Sequence, residues 1–526
     1  VLLRISEHFR EGRDELEENG QNALANLAHS NNANLSDPRE WNKNSLIEAG
    51  QILCQAHDDE TGWFTPSPKF PSPMKMDFLF ALKESQAVRT NPNFSKRINF
   101  CLQKTLGAMA SGGLFDHVNG GFFRYCLDRQ WNSPHFEKML SDNALLVSTY
   151  SRSWRNFQYP QDREVIQKTL AWIEREMSNP QGGYASSLSS ETHQMEGAHY
   201  LWNHQELVEA LGSKDAEEMK KIWGPFAKNT TDLYFPKFSN DCNLAADKQA
   251  EILEKLHMVR MGTDKPQRDE KMSCAQHALL VRAFTDAGLA LGDISLLSRA
   301  EKLLKWMESA FLLPDGSVSS LLYPDQSNSS FGFLEDYTYW IEAILSFGAI
   351  SEAFNLGKLK DWLEKAEILM HQTVGLFKDP NLPGYFSSSE EMENPGPIRK
   401  KSWYDHAMPS GNSSLLRCFS ILGEIGSDSA KWCSEYQEAL GGYPKLIKQS
   451  PDGIGHALCA QTEQAVGVVE VNGPIHLIQP VAEKMTNLSH RPVYFTQEKE
   501  LSVRINQKKV EIKVSDHQEL IEKLWI

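Results

Sequence analysis

The stretch SPHFEKMLSDNALL, residues 133–146, joins a dense run of ionisable side chains to the start of an apolar helix. His135, Glu137 and Lys138 come first, and from Met139 onward apolar residues recur at the spacing of a buried helix. The Ser-Pro pair that opens the stretch is typical of an N-cap and first helical residue, so we expect the helix to begin there. Charged residues at the start of a core helix predict that this end faces a shared polar funnel.

The helical pattern of this stretch continues outward through most of the chain. Apolar residues recur at the 3.6-residue period in the segments 2–28, 43–56, 74–88, 94–110, 137–156, 163–178, 272–291, 296–312, 336–355, 359–376, 410–424 and 429–440. Strand-like alternation is scarce before residue 460. The sequence therefore predicts a mostly helical protein.

Glycines followed by aromatic or aliphatic residues divide these helices at regular intervals. The markers are Gly62-Trp63-Phe64, Gly113-Leu114-Phe115, Gly183-Tyr184-Ala185, Gly316-Ser317-Val318, Gly384-Tyr385-Phe386 and Gly453-Ile454, and their intervals are 51, 70, 133, 68 and 69 residues. Since 133 is nearly two periods, we expect one marker to be missing near residue 250. A period of this size fits one helical hairpin with its connections, and about six hairpins closed on themselves form an all-α (α/α)6 toroid.

The pattern of residues changes from helical to strand-like after residue 460. VGVVEVNGPIHLI, RPVYFTQ, LSVRIN and KKVEIKV are rich in β-formers, and Asn472-Gly473 is a turn signal. HQELIEKLWI at the end of the chain is predicted to be a helix. We therefore expect two domains, a toroid over residues 1–460 and a small α/β appendage over residues 461–526.

Composition narrows the classes of function. The 526 residues carry a net charge of −15 with 40% hydrophobic residues, which is typical of a globular protein that repels nucleic acid and anionic membranes. No apolar run reaches the ~18–20 residues of a membrane helix. The start without Met predicts a processed or truncated form. The eight cysteines are scattered and show neither a CxxC motif nor the spacing of a zinc site. We therefore expect buried reduced thiols in a cytoplasmic protein. We also expect no bound metal and no cofactor.

Four further segments place polar residues at the predicted starts of inner helices. In a toroid these starts lie around the opening of the same central funnel. They are GGLFDHVNGGFFRYCLDRQW (112–131), FLEDYTYW (333–340), IRKKSWYDHAMPSGNSS (398–414) and SPKFPSPMK (67–75). Each also has a purely structural interpretation, because acids and Ser or Asn at a helix start are expected from capping and the helix dipole. We also expect Lys138 and Asp142, one turn apart, to form a partly structural ion pair.

Several of these motifs together resemble the spermatogenesis-associated protein 20 family. The motifs are PKFP (68–71), GGLFDHVNGGFFRY (112–125), PHFEKML with a preceding Trp (131–140), EGAHYLW (196–202), FLEDY (333–337) and PSGNS (409–413). The family joins a thioredoxin-like domain to a six-hairpin toroid similar to N-acylglucosamine 2-epimerase and glycosidase folds. That domain would precede Val1, so we expect this chain to lack it. The family's acid-rich segment after Gly183-Tyr184 reads ASSLSSE here, so at least two carboxylates are missing.

The resemblance implies a carbohydrate-active protein with one of two mechanisms. A sugar epimerase needs an acid and a base on opposite faces of a carbon, for which His135 is the first candidate, with His117 or His406 opposite. A glycosidase needs two carboxyl groups, ~5–5.5 Å apart if retaining and ~6.5–9.5 Å apart if inverting. The lost acids favour a third possibility, a scaffold that binds sugar or protein without turnover.

The resulting predictions can be stated residue by residue. The catalytic candidates are His135, Glu137, Glu335, Asp336 and Asp405, and the substrate-binding candidates are Lys69, Arg124, Tyr125, Trp131, Lys138, Tyr337, Arg399, Ser410 and Asn412. The expected partner is a sugar-like small molecule, and a homodimer is possible.

Overall fold

The computed structural model describes residues 6, 9–10, 12–510 and 518–520, with gaps at 33, 65, 228–229, 239–241, 324, 326, 329–330, 393–397 and 486–491. Most of the predicted C-terminal helix and the end of KKVEIKV lie outside the described residues. The helices are α1 (Arg13–Ser30), α2 (Lys43–Ala56), α3 (Pro73–Lys83), α4 (Gln86–Arg89), α5 (Pro92–Ser111), α6 (Leu140–Phe157), α7 (Pro160–Trp172), α8 (His204–Leu211), α9 (Ser213–Trp223), α10 (Ala246–Arg260), α11 (Cys274–Leu291), α12 (Ile294–Phe311), α13 (Leu334–Ser351), α14 (Leu359–Phe377), α15 (Gly411–Ile425), α16 (Ser429–Leu440), α17 (Pro444–Gln449), α18 (Gly455–Val466) and α19 (Ile475–Met485).

Twelve of the described helices alternate between an inner and an outer ring. The inner helices α3, α6, α11, α13, α15 and α18 each pack against the next, and α18 packs back onto α3, so the ring is closed. The outer helices are α2, α5, α7, α12, α14 and α16. The predicted (α/α)6 toroid is therefore confirmed. Its apolar core lies between the rings, where all inner helices are buried along most of their length.

All six glycine markers lie in connections that lead from an outer helix to the next inner helix. They therefore share the face at which the inner helices begin. The prediction of a missing marker near residue 250 is wrong, because residues 202–260 form no ring hairpin. This insertion contains α8, α9 and α10 and has an apolar cluster of its own, around Trp202, Leu207, Met219 and Trp223.

Short strands stiffen the loops of this face. They are β1 (Tyr125–Cys126), β2 (Pro134–His135), β3 (Lys138–Met139), β4 (Ser187–Leu188), β5 (Glu191–Thr192), β6 (Met195–Glu196), β7 (Trp202–Asn203), β8 (Pro225–Ala227), β9 (Thr230–Tyr234), β10 (Arg268–Asp269), β11 (Met272–Ser273) and β12 (Leu321–Leu322). Strand β1 pairs with β2, and β3 pairs with β4, which also pairs with β10. The helix predicted from Ser133 is consequently wrong at its start, since residues 134–139 are extended and α6 begins at Leu140.

A four-stranded sheet adjoins the opposite ends of the inner helices. It contains β13 (Val469–Gly473), β14 (Val493–Gln497), β15 (Ser502–Ile505) and β16 (Lys508–Val510) in the order β14-β13-β15-β16, with β13 and β14 parallel and joined across α19. Strand β14 contacts α13 and α14, and its Tyr494 is buried. Among the described residues, no helix has the length and apolarity needed to cross a membrane.

Candidate functional site

Ionisable side chains project from every inner helix into the centre of the ring. We name the set the axial cluster; it consists of Asp77 (α3), Arg152 (α6), Arg282 and Asp286 (α11), Glu342 (α13), Arg417 (α15), and His456 and Glu463 (α18). Ion pairs join neighbouring helices around the ring, which satisfies charges that burial would otherwise penalise.

The most chemically specific part of the axial cluster is a histidine–glutamate pair. His456 Nε2 lies 2.7 Å from Glu342 Oε1, and both side chains are buried. The second carboxylate oxygen of Glu342 pairs with the guanidinium of Arg282 and lies 3.2 Å from that of Arg417. Burial alone would raise the pKa of Glu342, but His456 and the two guanidinium groups hold it well below its usual value. The carboxylate is therefore an anion that fixes the imidazole.

The other ring nitrogen of His456 is available. No hydrogen bond to its Nδ1 is formed within the described part of the chain. Arg417, which shares the Glu342 carboxylate with His456, retains 12% of its side-chain surface. A histidine that is oriented by a carboxylate on one side and unengaged on the other can accept a proton.

Asp405 holds the start of the helix that carries His456. Its Oδ2 accepts the backbone N–H of His456 at 2.8 Å, while Oδ1 accepts Ser410 N and Ser413 Oγ, each at 2.9 Å. Burial raises the pKa of Asp405 despite these bonds. Lys75 is buried nearby; its pKa is lowered by burial, which the charges of Asp452 and Asp405 only partly offset. Asp405 therefore lies beside the axial cluster, and Ser410 serves there as the N-cap of α15.

Two more predicted acids lie at the start of α13. Asp336 is 2% exposed and accepts backbone N–H groups from Ala275 and Phe333, so burial outweighs these bonds and raises its pKa to about 6. Glu335 accepts a long 3.3 Å bond from Gly411 N, and burial raises its pKa to about 7 against the backbone N–H groups of Glu335 itself and Gly411. Of these two acids, Glu335 is the one that retains capacity for a proton donor at neutral pH.

A second group of predicted residues forms an aromatic stack at the same face. The Tyr125 ring stacks on Phe70 at 4.2 Å and on His135 at 4.8 Å between centroids. Arg124 pairs with Glu137 at 2.8 Å. Arg124 Nε and His135 Nδ1 are buried atoms without a hydrogen-bond partner among the described residues. The stack is half-exposed and polar at its edge.

Three more of the predicted substrate-binding residues make hydrogen bonds and ring contacts within the protein itself. Lys69 donates to Thr61 Oγ1 and Gly62 O, both at 2.9 Å, and its Nζ lies 4.5 Å from the Trp131 ring centroid. Trp131 Nε1 donates to Thr61 O at 2.9 Å. Arg399 donates to two main-chain carbonyls and lies over the Phe386 ring. These contacts stabilise the loops that contain Lys69, Trp131 and Arg399.

Asn412 and Tyr337 act on the main chain of the glycine markers. The Asn412 amide accepts Tyr385 N at 2.8 Å and donates to Tyr385 O and Ser402 O, so both its N–H groups are engaged. Tyr337 accepts Val318 N on its hydroxyl at 2.9 Å. Each fixes the turn that leads into its own helix.

Lys138 has a different partner from the one predicted. Its Nζ donates to Asp116 Oδ2 and to Gly120 O, both at 2.8 Å, and Arg260 binds the other oxygen of Asp116 at 2.9 Å. The predicted Lys138–Asp142 pair is wrong because Lys138 is on strand β3, not one helical turn from Asp142. Burial raises the pKa of Asp142 to about 7, against the opposing charge of Arg124.

The two secondary histidine candidates lie elsewhere. His117 is buried, its Nε2 contacts Gly112 O at 3.0 Å, and burial lowers its pKa to about 4. His406 is exposed. Sequence reasoning missed His456 and Glu342. The available signal was the occurrence of single charged residues inside apolar helices, as in LLVRAF and YWIEAIL.

The sequence comparisons agree with the motifs. Human spermatogenesis-associated protein 20 is 29% identical over 477 residues, which cover 80% of this chain and 59% of the human protein. The rat protein is 29% identical over 533 residues, covering 90% of this chain and 65% of its own. The resemblance to this family is thus confirmed, and the chain spans roughly 60% of the length of these relatives. No protein-family model matches.

Solved structures with a comparable chain path include sugar-converting enzymes. A D-mannose isomerase has a TM-score of 0.48 and 13% identity, covering 76% of this chain and 85% of its own. The cellobiose 2-epimerase from Spirochaeta thermophila DSM 6192 has a TM-score of 0.43 and 11% identity, covering 76% of this chain and 84% of its own. Neither likeness bears on the activity of this chain.

Proposed function

We propose that the chain binds a reducing sugar against the axial cluster and moves a proton on the carbon next to the sugar carbonyl, as an isomerase or epimerase does. The observation that carries the proposal is the His456–Glu342 pair, with Nδ1 of the imidazole unengaged and two guanidinium groups beside the carboxylate. A histidine imidazole is a common general base for this chemistry.

In this mechanism His456 takes the proton from C2 and leaves an enediolate. Glu342 stabilises the imidazolium that forms, and Arg417 supplies positive charge near the developing oxyanion. Transfer of the hydroxyl proton from O2 to O1 and return of the carbon proton to C1 complete an aldose–ketose isomerisation with one carbon base. An epimerisation returns a proton to the opposite face of C2, for which Glu335, with its pKa raised to about 7, is the proposed donor.

Glycoside hydrolysis has less support. It needs one free carboxylic acid and one free carboxylate beside the substrate. Asp336 and Asp405 each accept two or more hydrogen bonds from the protein itself, and Glu137 is paired with Arg124, which leaves Glu335 as the less constrained acid.

The test is hydrogen exchange at C2. A panel of aldoses and ketoses is incubated with the protein in D2O, and NMR follows the loss of the C2 proton signal and the appearance of product. We expect exchange with at least one sugar, and we expect His456→Gln to reduce its rate by ~10²–10⁴-fold. His406→Gln, which alters an exposed histidine, is the matched control and should exchange at the wild-type rate.

Two outcomes would overturn the proposal. Exchange that persists in His456→Gln would place the base elsewhere. Binding of a sugar by calorimetry without any exchange would identify a non-catalytic scaffold instead. Release of nitrophenol from aryl glycosides, abolished by Glu335→Gln but not by His456→Gln, would favour hydrolysis.

A further inference from the structure

A cavity rich in charged side chains lies among the loops at the face where the inner helices begin. Its volume is about 240 Å³, and none of the described residues that line it belongs to the axial cluster. Pockets for drug-sized ligands hold ~300–1,000 Å³, so this one suits a small ion or the charged end of a larger molecule. We name it the charged cavity; its charged lining consists of Lys138, Arg175, Lys265 and Arg268 with Asp116, Glu176 and Glu270.

One side of the charged cavity is formed by a row of residues across the sheet β10-β4-β3. Lys138, Leu188 and Arg268 lie directly opposite one another in register, so their side chains project from the same face of the sheet. All three line the cavity. Strand pairing therefore fixes an ammonium group and a guanidinium group on either side of one leucine.

The deep end of the cavity has more positive than negative charge. Lys138 Nζ lies 2.8 Å from one oxygen of Asp116, and Arg260 lies 2.9 Å from the other, with each of these side chains at most 1% exposed. Burial lowers the pKa of Lys138 to about 8 against the attraction of Asp116, so its ammonium group is still mostly protonated at pH 7. One carboxylate here faces two cations.

The other charged residues of the lining add one more uncompensated cation. Glu176 lies 2.8 Å from both Arg175 and Lys265, and Glu270 lies 2.8 Å from Arg268. With the deep end included, five cations and three acids leave an excess of two positive charges. Such a local excess, in a chain whose net charge is −15, attracts an anion.

Several donor groups of the lining have no partner within the protein. Among the described residues, no hydrogen bond is formed by Arg175 Nη1, Arg268 Nη2 or the amide nitrogen of Asn119. Lys265 uses its ammonium group for a single bond, to Glu176. These groups come from three separate segments of the chain, and they remain available to a ligand with several acceptor oxygens.

His199 adds an acceptor to these donors. Its Nδ1 lies 2.9 Å from Asp264 O, so this nitrogen carries the ring proton. Burial, followed by the charge of Arg260, lowers the pKa of His199 to about 4, which leaves the ring neutral at pH 7. Nε2 can therefore accept a hydrogen bond from a hydroxyl group of a ligand.

We propose that the charged cavity binds a phosphate group, either as inorganic phosphate or as the phosphate of a phosphorylated sugar. The two excess positive charges match the charge of phosphate, about −1.5 to −2 at pH 7. Its oxygens can accept the free N–H groups of Arg175, Arg268 and Lys265 together, whereas a carboxylate has one charge and only two oxygens. The site shares no residue with the axial cluster, so it does not depend on the activity proposed there.

Isothermal titration calorimetry of the full chain with sodium phosphate, at constant ionic strength, tests the proposal. We expect saturable binding, and we expect Lys265→Gln to weaken it about tenfold, because the variant removes one charged hydrogen bond to the anion. The buffer contains a reductant because Cys433 is exposed and Cys242 is half-buried. The prediction that all thiols are buried is wrong for these two cysteines.

Glucose 6-phosphate and glucose are titrated in parallel to distinguish the two sources of phosphate. Tighter binding of glucose 6-phosphate than of phosphate, reduced by Lys265→Gln, would identify a phosphorylated sugar as the ligand. Equal binding of the two phosphates, with none of glucose at this site, would identify the phosphate group alone.

Lys271→Gln is the matched control. The Lys271 side chain is 44% exposed, against 46% for Lys265, and it forms a similar ion pair with Asp269 at 2.7 Å, but it does not line the cavity. The variant loses the same charge and should bind phosphate as the wild type does. Absence of phosphate binding in the wild type would overturn the proposal. Equal weakening in both variants, or binding that Lys265→Gln leaves unchanged, would also overturn it.

Discussion

The two ring nitrogens decide what each buried histidine can do. His277 is bound on both sides: its Nδ1 lies 2.7 Å from Ser273 O, and its Nε2 accepts Tyr184 N at 2.9 Å. Burial lowers its pKa to about 4, so it is a neutral structural residue. His456 is bound by a carboxylate on one side only. Both histidines are buried, so their hydrogen-bond partners, and not their burial, distinguish the candidate base His456 from the structural residue His277.

Asp142 provides a prediction about pH. Its pKa of about 7 in the folded chain, raised mainly by burial, exceeds the unfolded value of ~3.9, so the folded state holds more protons between these values. The stability of the wild type therefore falls as pH rises through this window. Asp142→Asn should match the wild type near pH 4 and exceed its unfolding free energy by ~2–4 kcal/mol at pH 8, as measured by urea denaturation. An equal difference at both pH values would contradict this cause.

At the scale of elements, four inner helices use the same device on a glycine turn, and three of these turns are the markers at Gly183, Gly316 and Gly384. A polar side chain in the first turn of the helix binds the main-chain N–H of the residue after the turn glycine or of the residue one further on. The pairs are Asn143 with Phe122, His277 with Tyr184, Tyr337 with Val318 and Asn412 with Tyr385. The glycines take positive φ, for example +80° at Gly121 and +99° at Gly384, which other residues rarely adopt. The turn and the helix start are thus fixed together.

These four contacts between a helix side chain and a glycine turn, which we call clamps, should contribute to stability to a similar extent. Asn143→Ala and Asn412→Ala each remove three hydrogen bonds and leave a buried N–H without a partner. We expect each to lower the unfolding free energy by about 2–3 kcal/mol. The exposed Asn44→Ala on α2 is the control and should change it by no more than ~0.5 kcal/mol. Clamp variants as stable as the control would show that the repeat is incidental.

The sequence predicted the repeat but not the partners within it. Helical periodicity and the glycine spacing are local signals, so they were sufficient for the toroid. The extended entry at residues 134–139 was missed because Ser133-Pro134 also suits a helix start, and only pairing of β3 with β4 decides otherwise. Lys138 was assigned to Asp142 by spacing, whereas its partner Asp116 comes from a distant loop. His456 and Glu342, which are 114 residues apart, meet only when the ring closes.

For the whole molecule, ring closure depends on one glycine at the contact of α18 with α3. A Cβ on Gly455 would lie 2.6 Å from Met74 C and 2.8 Å from Lys75 N, which are main-chain atoms that cannot move aside. Gly455→Ala should therefore force the two helices apart and displace the adjacent His456. We expect a loss of at least ~2 kcal/mol of unfolding free energy, measured by denaturant titration.

Gly375→Ala provides the matched control for this prediction. Gly375 lies in the interior of α14 and is exposed, and a Cβ added there would have no neighbouring atom within 4 Å. The substitution should stabilise the chain by ~0.5–1 kcal/mol through helix propensity. If Gly455→Ala had the same stabilising effect, the close approach of the two helices would not be needed for closure.

The contact of α18 with α3 also has a consequence for biosynthesis. Residues 73–82 of helix α3 are all buried in the folded chain, yet the partner helix α18 begins only at Gly455. At 5–20 residues per second, the ribosome needs on the order of half a minute to supply that partner. During this interval the face of α3 that packs on α18 has no partner, so we expect the nascent chain to depend on chaperones until the last inner helix has emerged.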